Sequence, residues 1–191
     1  DCPGNRKQQG RSRAPGRIAA TMATASPKPP AKMKRTLTRG NFFRTIGNAV
    51  ASVPALLAAL IRPKTSAALR EKVMLGVISV TDCGYCQWGH SHWAMAHGVP
   101  LEEVNQILGQ EIEALQAKDP GEAAAILFAQ HYAEQLDQYD PESLKNLRQY
   151  YSDAQVAEIL ACVRAITLGS LTGNTLDAVL GRLRRNGSSA T

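Results

Sequence analysis

The chain has 191 residues, of which 44% are hydrophobic and only 5% aromatic, with a formal charge of +6. That length suits one domain of about 150 residues plus a tail. The charge is unevenly placed: residues 1–40 hold ten of the 22 Lys and Arg and one of the 16 acids, which leaves −3 on the remainder. The domain therefore shows no basic patch of the kind that holds nucleic acid, and no nucleic-acid partner is expected.

Residues 1–40 are rich in Gly, Pro, Ser, Thr, Ala, Lys and Arg and poor in large apolar side chains. Such a segment cannot bury enough surface to offset its ordering entropy, so a disordered basic tail is expected here. The first residue is Asp, and Met22 and Met33 follow later. Upstream translated sequence is one explanation of the segment, and an Arg-rich, acid-poor organellar transit peptide is another. The location expected for the protein is cytoplasmic, with an organellar alternative if the segment is a targeting peptide.

Residues 41–61 place Phe42, Phe43, Ile46, Val50, Val53, Leu56, Leu57, Leu60 and Ile61 at helical spacing, with Pro54 as a break. A helical hairpin packed on the domain or on another copy is preferred over a signal peptide. No run of about 18 uncharged apolar residues occurs, so no membrane-spanning helix and no membrane partner is expected. A helix follows at residues 66–80 and another at 82–97, closed by Gly98-Val99-Pro100. Trp88, Trp93 and Met95 on the second read as core or pocket wall.

Leu101, Val104, Ile107, Leu108, Ile112 and Leu115 form the apolar stripe of the next helix. Asp119-Pro120 reads as N-cap and first turn of another, which carries His131 as a structural or surface residue. A short helix fits residues 142–151, and Ser152-Asp153-Ala154-Gln155 opens the last long one as a capping box. On that helix Cys162 reads as an inert core thiol. Gly169 and Gly173 would admit a close neighbour, either the cysteine helix or another subunit, or would merely loosen the helix. Helical periodicity throughout, with no period-two run, gives an all-α fold with a domain over residues 41–185 and a frayed end at 186–191.

One stretch carries the chemistry. Cys83, Cys86 and His90 stand at i, i+3 and i+7, within roughly 60° of arc on a helix face. Both sulfurs fall near the helix N-terminus, whose positive end favours a thiolate. Upstream, Glu71 heads an apolar row of Met74, Leu75 and Ile78. It is either a first-turn glutamate facing water or a partly buried carboxylate able to carry a proton near neutral pH. Four cysteines with only one close pair do not make a secreted disulfide framework; they favour a redox or metal pair in a reducing compartment.

Glu71, eleven residues, Cys83, two residues, Cys86, three residues and His90 together resemble the signature of the alkylhydroperoxidase D-like group within the carboxymuconolactone decarboxylase family. The resemblance extends over the helical chain from about Leu69 to Leu183, including Gly173-Asn174-Thr175-Leu176-Asp177-Ala178, and leaves out residues 1–40. It implies an all-helical bundle, homo-oligomers that are often trimers or hexamers, and thiol-dependent reduction of hydroperoxides by a thiol or dithiol reductant, without a cofactor. By the same resemblance Cys86 is the peroxidatic thiol, Cys83 the resolving one, and His90 with Glu71 a proton relay. Some peroxidase members have a histidine between the cysteines, where this chain has Tyr85. Decarboxylase members lack the cysteine pair, which makes a decarboxylase-like enzyme the alternative. Two further readings stand beside it. One is a zinc site on Cys83, Cys86 and His90 with Glu71 or water as fourth ligand, although no second Cys/His cluster supports it. The other is a non-enzymatic, redox-sensing oligomeric module.

Overall fold

A computed structural model describes residues 34–188, except 117 and 137. Among the described residues there are eight helices and no strand: α1 (Arg39–Ile61), α2 (Ala67–Thr81), α3 (Gly84–Ala96), α4 (Leu101–Gly109), α5 (Ile112–Gln116), α6 (Pro120–Glu134), α7 (Pro141–Leu147) and α8 (Asp153–Ser188). The protein is all-α.

The fold is built around α2. Apart from Arg70, Glu71 and Lys72 its residues are small or apolar, and ten of its 15 residues are buried, as expected of a helix with neighbours on most sides. It packs against α6, α8, α3 and α4. Val73, Leu75, Val77 and Ile78 from α2 join Ile107, Phe128, Tyr132 and Ile159 in one core. Each such side chain contributes about 1.5–3 kcal/mol on burial. At Gly76 the neighbour is very near: an added Cβ would lie 3.2 Å from both the side chain and the carbonyl oxygen of Ile126. Glycine there sets how closely α2 and α6 approach.

Helix starts follow the local chemistry. Ser66 Oγ accepts from Leu69 N at 3.1 Å. Asp119 accepts from Gly121 N and Glu122 N, with Pro120 in the first turn as expected. Gln155 Oε1 accepts from Ser152 N and Oγ at 3.0 and 2.9 Å, which is the reciprocal half of the expected capping box. α8 then runs parallel to α2, since Glu158 meets Thr65 at the start of α2 and Asn174 meets Thr81 at its end.

Several expectations need correction. Residues 41–61 form a single helix, not a hairpin: α1 begins at Arg39 and continues through Pro54. Proline has no N–H to donate and its ring crowds the preceding turn, so the helix carries a local cost at this position. The buried residues of α1 are polar, Asn41, Thr45 and Ser52, whereas Phe43, Leu60 and Ile61 are about 80% exposed. Of the expected tail, residues 1–33 lie outside the described residues. Residues 34–40 are placed: Arg35 N donates to Thr81 O at 3.3 Å, Leu37 N donates to Thr175 Oγ1 at 2.9 Å, and α1 has already begun by Arg39.

The stripe from Leu101 to Leu115 is broken at Gln110, which takes a left-handed conformation (φ 62°) and separates α4 from α5. The short helix expected at 142–151 ends at Leu147. α8 continues to Ser188, beyond the expected boundary at 185, and residues 189–191 lie outside the described residues. By length and composition two helices, Arg39–Ile61 and Asp153–Arg185, are apolar enough to cross a membrane, although neither holds the unbroken apolar run sought in the sequence. More than half of the second is buried inside the protein, which is the situation of a core helix.

Candidate active site

The functional side chains lie where α2, the two-residue turn Asp82-Cys83, α3 and α8 meet. α2 ends with Asp82 in a left-handed conformation (φ 56°), whose N–H donates to Ile78 O at 3.0 Å. This turn displaces the expected helix start by one or two residues. Asp82 closes α2, and the N-cap of α3 is Cys83 itself. Its Sγ accepts from Cys86 N at 3.4 Å, the position that a Ser or Asp oxygen usually takes at an N-cap.

Cys83 and Cys86 are joined as a disulfide, with their Cα atoms 5.3 Å apart, within the usual range for a bridge. The two sulfurs differ in access: Cys83 is fully buried, while Cys86 is only partly covered. His90 follows Cys86 by one helical turn, on the same face of α3.

The structure brings Glu71 to His90. Nδ1 of His90 lies 2.8 Å from Glu71 Oε2, and both side chains are nearly covered, at 13% and 10% exposure. The water-facing reading of Glu71 is therefore excluded. A carboxylate at this distance accepts the Nδ1 proton, which leaves Nε2 as the basic nitrogen of the neutral ring. Trp93 meets the His90 ring edge-on with centroids 5.0 Å apart. All four expected site residues thus fall in one place on α2, α3 and the turn between them.

The tryptophans and Met95 do not belong to the core. Trp88 is 71% exposed, Trp93 56% and Met95 38%. Tyr85, between the cysteines, is exposed too. The face of α3 around Cys86 is aromatic and free of formal charge from Cys83 to His97. His92 bonds the Trp88 carbonyl through Nδ1 at 2.6 Å, His97 is the C-cap of α3, and His131 lies 3.2 Å from Ser143 Oγ; none of the three joins the Glu71–His90 pair. Among the described residues no group of three His, Cys, Asp or Glu side chains is arranged to hold a metal ion.

Residues 48–131 match the carboxymuconolactone decarboxylase family. The match runs from the middle of α1 into α6 and contains Glu71, Cys83, Cys86 and His90. It bears out the family resemblance read from those four residues. Comparison with curated proteins and with solved structures gives no match.

Three supports of the site were not legible from the sequence. Glu158 on α8 accepts from Lys64 N (2.7 Å), Thr65 N (3.2 Å), Thr65 Oγ1 (2.6 Å) and Arg70 Nη1 (3.1 Å). It thereby fixes the start of α2 one turn before Glu71. Lys72 is buried between Glu103 and Glu122, with Nζ–O distances of 2.7 and 2.5 Å. Burial works to lower its pKa, but the two carboxylates outweigh this and raise it. Asn174 on α8 donates through Nδ2 to Thr81 O at 2.7 Å and Arg35 O at 2.9 Å, which ties the cysteine turn to α8. Cys162, expected to be an inert core thiol, is buried beside these groups. Burial pushes its pKa up to about 11; Arg70 opposes this, and Glu158 and Glu71 add to it.

Proposed function

We propose that the protein is a thiol-dependent peroxidase of the alkylhydroperoxidase D-like type, cycling Cys83 and Cys86 between dithiol and disulfide. The observation that carries this reading is the placement of a bridged cysteine pair one helical turn from a histidine held by a buried glutamate. In the reduced pair Cys86 is the attacking thiolate, because hydroperoxide can reach its partly exposed sulfur and cannot reach that of Cys83. His90 Nε2 takes the Cys86 proton, and Glu71 steadies the imidazolium. The thiolate attacks the peroxide oxygen; an S–O bond forms, the O–O bond breaks, and the departing alkoxide takes a proton from His90. The resulting sulfenic acid is attacked by Cys83, an S–S bond forms, and water leaves. An external thiol or dithiol then supplies two electrons and two protons to restore the pair.

The test is a thiol count on the full chain. After reduction and removal of the reductant, alkylation and mass spectrometry should find Cys83 and Cys86 free. One equivalent of hydroperoxide should convert both to a disulfide and leave Cys162 as it was. If hydroperoxide leaves both thiols free, the peroxidase reading falls and a decarboxylase-like enzyme or an interaction module takes its place.

We also propose that the protein works as a homo-oligomer. Support comes from the apolar face of α1, where Phe43, Val50, Val53, Leu57, Leu60 and Ile61 are between 45% and 83% exposed, more contiguous apolar surface than a monomer commonly leaves in water. Light scattering should give three or six times the 20.6 kDa chain mass. A monomer at micromolar concentration would sink this proposal.

A further inference from the structure

Gly173 lies on α8 where that helix passes the turn carrying Cys83. A Cβ built on Gly173 would stand 3.2 Å from Cys83 Sγ, inside the ordinary contact distance. The backbone of Gly173 is not left-handed, so the conformational freedom of glycine is not what the position uses. Glycine inside a helix is unfavourable relative to alanine, and what this one provides is room. Gly169, one turn earlier, has nothing within 4 Å of the corresponding Cβ and is exposed. The next residue, Asn174, ties Thr81, two residues before Cys83, to α8.

We propose that Gly173 is a positioning residue for the redox pair: by having no side chain it provides the space that the Cys83 sulfur occupies while bonded to Cys86. The inference deepens the peroxidase reading and rests on it for its use in the cell. In the dithiol the Cys83 sulfur is no longer tethered to Cys86 and is freer to make the shift of a few tenths of an ångström that a methyl group at 173 demands. In the disulfide the sulfur is tethered to Cys86 and has to stay. A methyl group at position 173 therefore disfavours the disulfide more than the dithiol.

The experiment equilibrates the full chain with mixtures of dithiothreitol and its cyclic disulfide. Reduced dithiothreitol gives two electrons and two protons to the protein disulfide, yielding the protein dithiol and the cyclic compound. Alkylation and mass spectrometry then read the dithiol fraction. Gly173→Ala should raise the dithiol-to-disulfide ratio about tenfold at a fixed buffer ratio, a shift of about 30 mV. Gly169→Ala should leave the ratio as in the wild type.

A stability measurement guards against mere misfolding. Under oxidising conditions Gly173→Ala should lower the melting temperature. In a Cys83→Ala background, where the sulfur is absent, the same change should leave it unchanged or raise it. An unaltered ratio in Gly173→Ala, or equal melting losses in both backgrounds, overturns this inference alone. A wild-type pair that does not interconvert at any buffer ratio overturns the redox reading and this inference together.

Discussion

Cys86→Ser is expected to abolish thiol-dependent peroxide consumption, a fall of about a thousandfold or more, as for loss of a catalytic nucleophile. Cys83→Ser should behave differently. Its Cys86 can still attack hydroperoxide, but the buried partner that would condense on the sulfenic acid is gone. The product should carry one added oxygen on Cys86 and react with a dimedone-type probe. Glu71→Gln keeps the shape of the side chain, so the fold should persist, while turnover falls by about a hundredfold because an amide does not stabilise the His90 imidazolium as a carboxylate does. The arrangement also contains a counter-signal. Cys83, not Cys86, is the N-cap of α3, where the helix N–H groups best stabilise a thiolate. If Cys83→Ser is inactive and Cys86→Ser active, that N-cap effect outweighs access, and the two cysteines exchange roles. If both variants reduce peroxide like the wild type, the thiol mechanism is wrong.

The helical class and the grouping of Cys83, Cys86 and His90 were legible because both rest on short-range pattern, whereas the burial of Glu71 against His90 was left open. Apolar periodicity marks the helices, and the spacing of Cys83, Cys86 and His90 places them on one face. What stayed hidden depends on contacts distant in sequence. Glu158 is in sequence one more acid on α8, and only the parallel docking of α8 beside α2 brings it to Thr65, 93 residues away. Nothing in the local sequence marks Lys72, and only the packing of α4 and α6 brings the carboxylates of Glu103 and Glu122 to it. The orientation of α1 misled for another reason. Its apolar residues recur as they do on a core-facing helix, yet the side that meets α8 is the polar one, with Ser52 Oγ accepting from Arg164 at 3.3 Å. Periodicity shows that a helix has two faces; it does not say which of them this chain covers. The aromatic residues of α3 follow the same logic, since size suggested burial for Trp88 and Trp93 and the fold leaves both on the surface.

Glu158→Ala is expected to cost about 3–5 kcal/mol of stability, the range for removing one partner of a buried, hydrogen-bonded charge pair. The side chain is 4% exposed and satisfies two backbone N–H groups, a hydroxyl and the Arg70 guanidinium at the start of α2. Alanine leaves those donors facing one another with no acceptor. Glu158→Gln should cost less, about 1–3 kcal/mol, since it keeps one acceptor oxygen and loses the charge. The pH dependence separates charge from shape. Burial alone would raise the Glu158 pKa, but the Thr65 hydroxyl, the N–H groups of Lys64 and Thr65, and Arg70 outweigh burial and hold it below its usual 4.5. A carboxylate with a depressed folded-state pKa contributes stability that is present above the unfolded value and is lost as pH falls through the folded one. The gap between wild type and Glu158→Gln, taken from urea melts, should therefore be constant from pH 7 to about pH 5 and shrink below the usual carboxylate range. A gap that widens on acidification, or a Glu158→Ala protein as stable as the wild type at pH 7, would show that α2 is not anchored through this carboxylate.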